Sequence, residues 1–285
     1  MIDPALHRRE VEAWREARYA ALRRDTGWLT LAGLNWLKAG ENVLGSGPGA
    51  DVRLREGPAV AGRVVVAPEG VTATGAFLHD GAPADALPLT SDADGEPTML
   101  ELGDLRFCVI ERGGRLAIRT WDLDAEQRRR FGGIDHWPVD PAWRIDGRFA
   151  PTPGRRLRVP DVLGFVEEQE SPGQIELELA GGTHRLEALR GGSNGELWLV
   201  FADATNGQTT YGGGRFLYTS APDADGRVVV DFNRAYNPPC VFSPHATCPL
   251  PWAANRLPIP VEAGERQVEA HRYQRSPSNS KPSAS

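Results

Sequence analysis

Gln174-Ile175-Glu176-Leu177-Glu178-Leu179-Ala180-Gly181-Gly182-Thr183-His184-Arg185-Leu186-Glu187-Ala188-Leu189 reads as two runs set about a glycine pair. Ile175, Leu177 and Leu179 recur every second residue with carboxylates between them, the period of a strand with one buried face. Gly181-Gly182 supplies the positive-φ turn that a tight hairpin needs. Two strands joined this closely must run antiparallel.

The same grammar extends in both directions. Downstream, Glu196–Asp203, Gly214–Thr219 and Arg227–Phe232 are short apolar runs, with Asn206-Gly207 and Asp225-Gly226 among their turns. Upstream, strands are expected at Trp28–Leu34, Asn42–Ser46, Asp51–Leu54, Arg63–Ala67 and Val71–Thr74, then at Met99–Leu102, Leu105–Glu111 and Leu116–Thr120. Ala125–Phe131 suits a helical turn or two, and a Pro-rich connection leads from there to Gln174. Asp3-Pro4 pairs an N-cap carboxylate with proline at the first helical position. Leu6, Ala13, Trp14, Ala17 and Ala21 then give an amphipathic helix that stops at Asp25-Thr26-Gly27. The fold class is mainly β, antiparallel sheets as a sandwich or open barrel, with an N-terminal amphipathic helix. The expected organisation is a helix over 1–27, a β subdomain over 28–90, a second over 91–265, and a disordered tail over 266–285, where Ser, Pro and Lys accumulate.

Hydrophobic residues at 40% and charged residues at 25% leave enough apolar surface for a sizeable core. A net charge of −6 argues against nucleic-acid binding, which needs a cationic surface. No apolar run approaches the roughly 20 residues of a membrane-spanning helix. The charged start lacks a signal-peptide core, and three cysteines (Cys108, Cys240, Cys248) are too few for a secreted disulfide framework. A cytoplasmic location is expected.

Leu37-Lys38-Ala39-Gly40-Glu41-Asn42-Val43-Leu44-Gly45-Ser46, followed by Ala50-Asp51-Val52-Arg53-Leu54, resembles the opening of a forkhead-associated domain, a β-sandwich that reads phosphothreonine. That family places an arginine fork after the second-strand glycine; here the position is Ser46. The resemblance therefore implies a structural β unit without the phosphate-reading residues.

A second resemblance runs through Phe201-Ala202-Asp203-Ala204-Thr205-Asn206-Gly207, Thr210-Tyr211-Gly212-Gly213-Gly214-Arg215-Phe216-Leu217, Asp231-Phe232-Asn233-Arg234-Ala235-Tyr236-Asn237-Pro238-Pro239-Cys240 and Thr247-Cys248-Pro249-Leu250-Pro251. With Trp28–Leu34 and Ile118-Arg119-x-x-Asp122, this series resembles a prokaryotic family known as domain of unknown function 1684. The resemblance implies an architecture but no activity.

The candidate site is the polar stretch between Asp203 and Cys248. Asp203 and Asp231 end apolar strands and Arg215 opens another, so a carboxylate–guanidinium pair can hold a ligand or anchor the sheet rim. Asn233 and Asn237 flank Tyr236 before Pro238-Pro239, where stiff irregular backbone can present amides to a ligand or have them satisfy the loop. Arg119 and Asp122 lie where a strand runs out, and a second guanidinium at the same rim would favour an anionic small molecule. Asp203, Tyr211 and Cys240 are the candidate catalytic groups; Arg119, Asp122, Arg215, Asp231, Asn233 and Asn237 are the candidate ligand-binding groups.

Cys240, His245 and Cys248 admit three readings: cysteines buried as packing residues or paired as a disulfide under oxidation, a thiol nucleophile, or three zinc ligands lacking a fourth. Cys108 sits among apolar neighbours and belongs to the core. His7 and His271 are placed at exposed termini, and no nucleophile elbow, nucleotide loop or zinc-protease motif occurs. Three functions follow: a hydrolase or lyase acting on an anionic small molecule, a non-catalytic binding module for a small ligand or a protein, or a zinc-stabilised structural protein. The sequence names no cofactor, substrate or oligomeric state.

Overall fold

The computed structural model describes residues 2–192 and 194–268. The hairpin is present, but its turn is Ala180-Gly181, both at positive φ, with Gly182 already paired to Leu179: Val166–Leu179 runs antiparallel to Gly182–Arg190, placing Ile175 opposite Leu186. Ile175, Leu177 and Leu186 are fully buried, as their alternation requires. The hairpin lies inside a six-stranded sheet ordered Arg215–Thr219, Leu197–Phe201, Gly182–Arg190, Val166–Leu179, Arg144–Pro160, Arg227–Asp231.

The expected Pro-rich connection is replaced by strand. Arg144–Pro160 is 17 residues long and pairs along most of Val166–Leu179. A register shift between Pro151 and Arg155 absorbs Pro153, which cannot donate to a ladder. Its exposed face is held by cross-strand charge pairs such as Arg156 Nε to Glu168 Oε2 at 3.1 Å, so hydrophobic alternation is faint there.

A second six-stranded sheet runs Leu31–Trp36, Arg115–Asp122, Leu105–Arg112, Leu100–Leu102, Leu78–His79, Ala82–Pro83. Strands from both sides of residue 90 share it, since Leu78 pairs with Glu101 and Leu31 with Trp121. A five-stranded sheet, Val52–Arg53, Gly40–Gly45, Gly62–Ala67, Gly70–Gly75, Leu87–Leu89, packs beside it through Leu44, Val64, Phe77, Phe107 and Ile118. Gly62 is required by that packing: a Cβ there would lie 2.4 Å from the Phe77 ring. The chain is thus mainly β with antiparallel sheets, one parallel pair excepted at Leu44 and Val52.

A further cluster joins Cys108, Ile110 and Leu31 of the N-terminal sheet to Val200, Phe216 and Cys248. The two halves therefore share a core where the second and first sheets meet. Across this junction lies the N-terminal helix, Pro4–Leu22, capped by Asp3, whose Oδ1 accepts the Ala5 N–H at 2.9 Å. Its buried face is not the expected one. His7, Val11 and Leu22 point inward, whereas Leu6 is 40% exposed. The reason is that polar pins fix its rotation: His7 Nε2 lies 2.8 Å from Asp231 Oδ2, and Arg18 donates to Glu265 Oε1 at 3.0 Å and to the Asn237 carbonyl at 2.9 Å. His7 is accordingly buried, not exposed as its place in the sequence suggested.

No helix among the described residues is long and apolar enough to cross a membrane. The expected disordered tail lies, after its first three residues, outside the described residues.

Candidate functional site

Asp203 and Arg215 sit at the ends of neighbouring strands because Phe201 is the register partner of Arg215. Gly214 leads the chain into Arg215 at φ +91, where a Cβ would meet Pro251 at 2.4 Å. Both side chains are fully buried, with Arg215 Nη2 2.8 Å from Asp203 Oδ2. Arg215 also donates to the carbonyls of Val261 (2.8 Å) and Ala263. Asp203 Oδ1 accepts from Thr205 Oγ1 at 2.6 Å and from the Val261 N–H at 3.2 Å. Burial lowers the Arg215 pKa and the Asp203 charge opposes that shift. This network stitches the sheet to residues 261–265 and does not line the cavity beneath the helix.

The other signature groups are likewise turned onto the backbone. Asp231 Oδ1 accepts from the Asn233 N–H (3.1 Å) and amide (2.8 Å) while Oδ2 meets His7. Asn233 closes on both backbone groups of Asp140 at 2.9 Å. Asn237 gives its N–H to Glu265 Oε2 at 2.7 Å and its amide to the Arg266 carbonyl at 2.8 Å. Asp122 is occupied by Arg55, Nε to Oδ2 at 2.8 Å. Of the six residues expected to bind ligand, the structure brings one, Arg119, to a cavity.

That cavity, about 570 Å³, lies at the junction of the sheets beneath the helix. Trp14 and Arg18 come from the helix, Trp28 from the turn after it, and Arg112 and Arg119 from adjacent N-terminal strands. Trp198, Phe216 and Tyr218 come from the edge of the other sheet, and Tyr236, Thr247 and Cys248 from the loops that follow. Its body is aromatic. The Trp198 and Phe216 rings meet edge-on at 5.0 Å, and Phe216 and Tyr236 at 5.7 Å.

Three guanidinium groups border this space, and their charges are not equally compensated. Arg18 lies 4.5 Å over the Tyr236 ring and is paired with Glu265. Arg112 is held by both carboxylate oxygens of Asp92, at 3.1 and 2.8 Å. Arg119 is only 7% exposed yet has no carboxylate within 4.0 Å among the described residues. Its Nη2 donates to Thr247 Oγ1 at 3.1 Å, and its buried Nε has no partner. Burial first, and the Arg112 charge second, lower its pKa. Thr247 Oγ1 also accepts from Arg112 Nε at 3.1 Å, so its own hydrogen is free to be donated elsewhere.

Arg112, Thr247 and the tryptophans were not singled out by sequence reasoning. One signal did exist: Arg119 interrupts a strand, Ala117-Ile118-Arg119-Thr120-Trp121, whose residues are all buried.

The cysteines lie behind the wall. Cys248 borders the cavity, and its sulfur accepts the Cys240 N–H at 3.1 Å. Burial pushes the Cys248 thiol well up, whereas a hydrogen bond from Cys248 lowers Cys240. The Tyr211 hydroxyl is pushed up by burial and by its contact with Cys240. Cys108 is buried in the core, as expected, and burial raises it to about 12. Among the described residues no group of three or more His, Cys, Asp and Glu side chains is arranged to hold a metal ion; His245 stands apart from such a set.

Compared with known proteins, residues 129–266 match the family model described as protein of unknown function (DUF1684). The chain is also similar to the solution NMR structure of an uncharacterized protein from Haloarcula marismortui, with 30% identity and a TM-score of 0.42. That match covers 50% of this chain and 80% of the other. No curated protein matches.

Proposed function

For a chain that belongs to the DUF1684 family, whose description states no activity, we propose that the cavity binds a small organic anion with an apolar, preferably aromatic, body. The observation that supports this is Arg119: a guanidinium almost wholly removed from water, without counter-charge, facing an aromatic hollow. A buried charge is retained at a cost unless something neutralises it. A carboxylate, sulfonate or phosphate seated on Arg119 and the free Thr247 hydrogen supplies that neutralisation. The volume falls in the range of roughly 300–1,000 Å³ usual for small-molecule sites.

Binding is favoured over turnover because Asp203 and Tyr211 do not border the cavity, while the thiol that does, Cys248, is held protonated. The hydrolase or lyase reading therefore lacks an activated group at the place where ligand would sit.

The test is a fluorescence titration with 8-anilinonaphthalene-1-sulfonate and its neutral analogue N-phenyl-1-naphthylamine. The folded chain is expected to bind the sulfonate at least about tenfold more tightly, the size of one charge-assisted hydrogen bond. Arg119→Gln, with an unchanged circular dichroism spectrum, is expected to remove that preference. Equal affinity for both probes, or a preference that survives Arg119→Gln, would sink the proposal.

A further inference from the structure

A smaller hollow of about 210 Å³ opens beside the aromatic one, and the two share Arg112, Trp198, Thr247 and Pro249. Arg112 and Thr247 stand at the boundary, or waist, between the two hollows. Past the waist the lining changes character, to Asp161, Glu167 and Gln169. Glu167 and Gln169 are two apart on the strand Val166–Leu179 and so face the same side. Glu167 sits beside the waist itself, because its Oε1 accepts the N–H of Gly113, the residue after Arg112, at 3.1 Å. Asp161 Oδ1 accepts the N–H groups of Leu163 and Phe165 at 2.8 and 2.9 Å.

What distinguishes these carboxylates is what they lack. Among the described residues neither Asp161 nor Glu167 has a cationic partner within 4.0 Å, and Asp161 Oδ2 and Glu167 Oε2 receive no protein donor. The carboxylates that meet the other cations of the site are paired: Asp92 with Arg112 and Glu265 with Arg18. One hollow thus holds an uncompensated buried cation, Arg119, and the other holds two uncompensated anions. Among the described residues no ion pair within 4.0 Å joins Arg119 in one hollow to Asp161 or Glu167 in the other.

We infer that the natural ligand is a zwitterion: its anionic group lies on Arg119 and Thr247, its ammonium group lies past Arg112 against Glu167 and Asp161, and its apolar side chain fills the aromatic lobe. The chemical class is an amino acid or short peptide with a large apolar side chain. This rests on the anion-binding reading above, which supplies the Arg119 end.

The experiment is isothermal titration calorimetry of the full chain with three matched probes: glycyl-phenylalanine, N-acetyl-glycyl-phenylalanine, which lacks the ammonium, and glycyl-phenylalaninamide, which lacks the carboxylate. The zwitterion is expected to bind at least about tenfold more tightly than either relative, one charge-assisted contact being lost in each. Glu167→Gln combined with Asp161→Asn keeps the acceptors for Gly113 and Leu163 but removes the charges, and should bring the first two probes within about twofold. Glu167→Gln alone serves if the double variant does not fold, with a smaller narrowing expected. Equal binding of zwitterion and acetylated peptide, a preference that survives the variants, or no binding of any of the three overturns the inference. If 8-anilinonaphthalene-1-sulfonate still binds through Arg119 in that event, only the zwitterion fails; if it does not, the anion site fails with it.

Discussion

Replacing Arg119 and Arg215 by methionine removes the same group from two buried places and should move stability in opposite directions. Arg119→Met removes one hydrogen bond to a neutral hydroxyl, worth about 1 kcal/mol net. It also removes the desolvation of a guanidinium that has no counter-charge and an unpartnered Nε, an effect of several kcal/mol. Methionine retains the apolar contact along the side chain, and Thr247 Oγ1 still accepts from Arg112. The balance is a gain of about 1–2 kcal/mol, or roughly 2–8 °C in Tm at about 2–4 °C per kcal/mol for a chain of this size. Arg215→Met leaves Asp203 ionised and fully buried and frees the carbonyls of Val261 and Ala263, a loss of about 3–5 kcal/mol and roughly 6–20 °C. Differential scanning calorimetry without added ligand reads both. If Arg119→Met lowers Tm as far as Arg215→Met does, the Arg119 guanidinium serves the fold and the argument for a ligand there collapses.

Two other outcomes follow from the titrating groups. Cys240 is held below the usual thiol range by its hydrogen bond from Cys248, while burial raises Cys108 and Cys248, so iodoacetamide at pH 8 should modify Cys240 first; peptide mapping that finds Cys108 or Cys248 alkylated earlier would refute this. Burial lowers the His136 pKa and outweighs the opposing hydrogen bond to the Ile134 carbonyl, so the unfolded chain takes up the proton first as pH falls. Stability is therefore present above the unfolded value of about 6.5 and is lost as pH falls through it toward the folded pKa. Tm scans between pH 8 and pH 5 should show this decline, and His136→Gln should flatten it; an undiminished slope in the variant would count against it.

Where one face of a strand is buried and the other wet, the architecture could be read directly. Ile175-Glu176-Leu177-Glu178-Leu179 is such a case, and its partner Gly182–Arg190 pairs as the glycine turn demands. Arg144–Pro160 was illegible because a register shift at Pro151 breaks its period and much of its length is exposed on both faces. The helix was found but its inward face was not, since a histidine and an arginine fix its rotation. The polar signature from Asp203 to Asn237 was legible as a cluster, but which partners its groups take was not. Most of its charges and amides are engaged internally, the Arg215 Nε and the Asn237 Oδ1 excepted, and no pattern in one dimension tells a paired arginine from an unpaired one. Arg119 was a candidate from the sequence, but that it stands apart from Arg215 in having no carboxylate within 4.0 Å shows only in three dimensions.

The walls of the cavity are drawn from positions 14 to 249, and the pins that hold its helical roof reach Glu265. A ribosome must therefore release nearly the whole described chain before the hollow can close, and a ligand that fits can bind only molecules that have finished assembling. Such a compound would act as a pharmacological chaperone, rescuing weakened variants in cells in proportion to its concentration. Trimming the first 22 residues would unroof the hollow and abolish that rescue, even with every residue from 129 to 266 left in place.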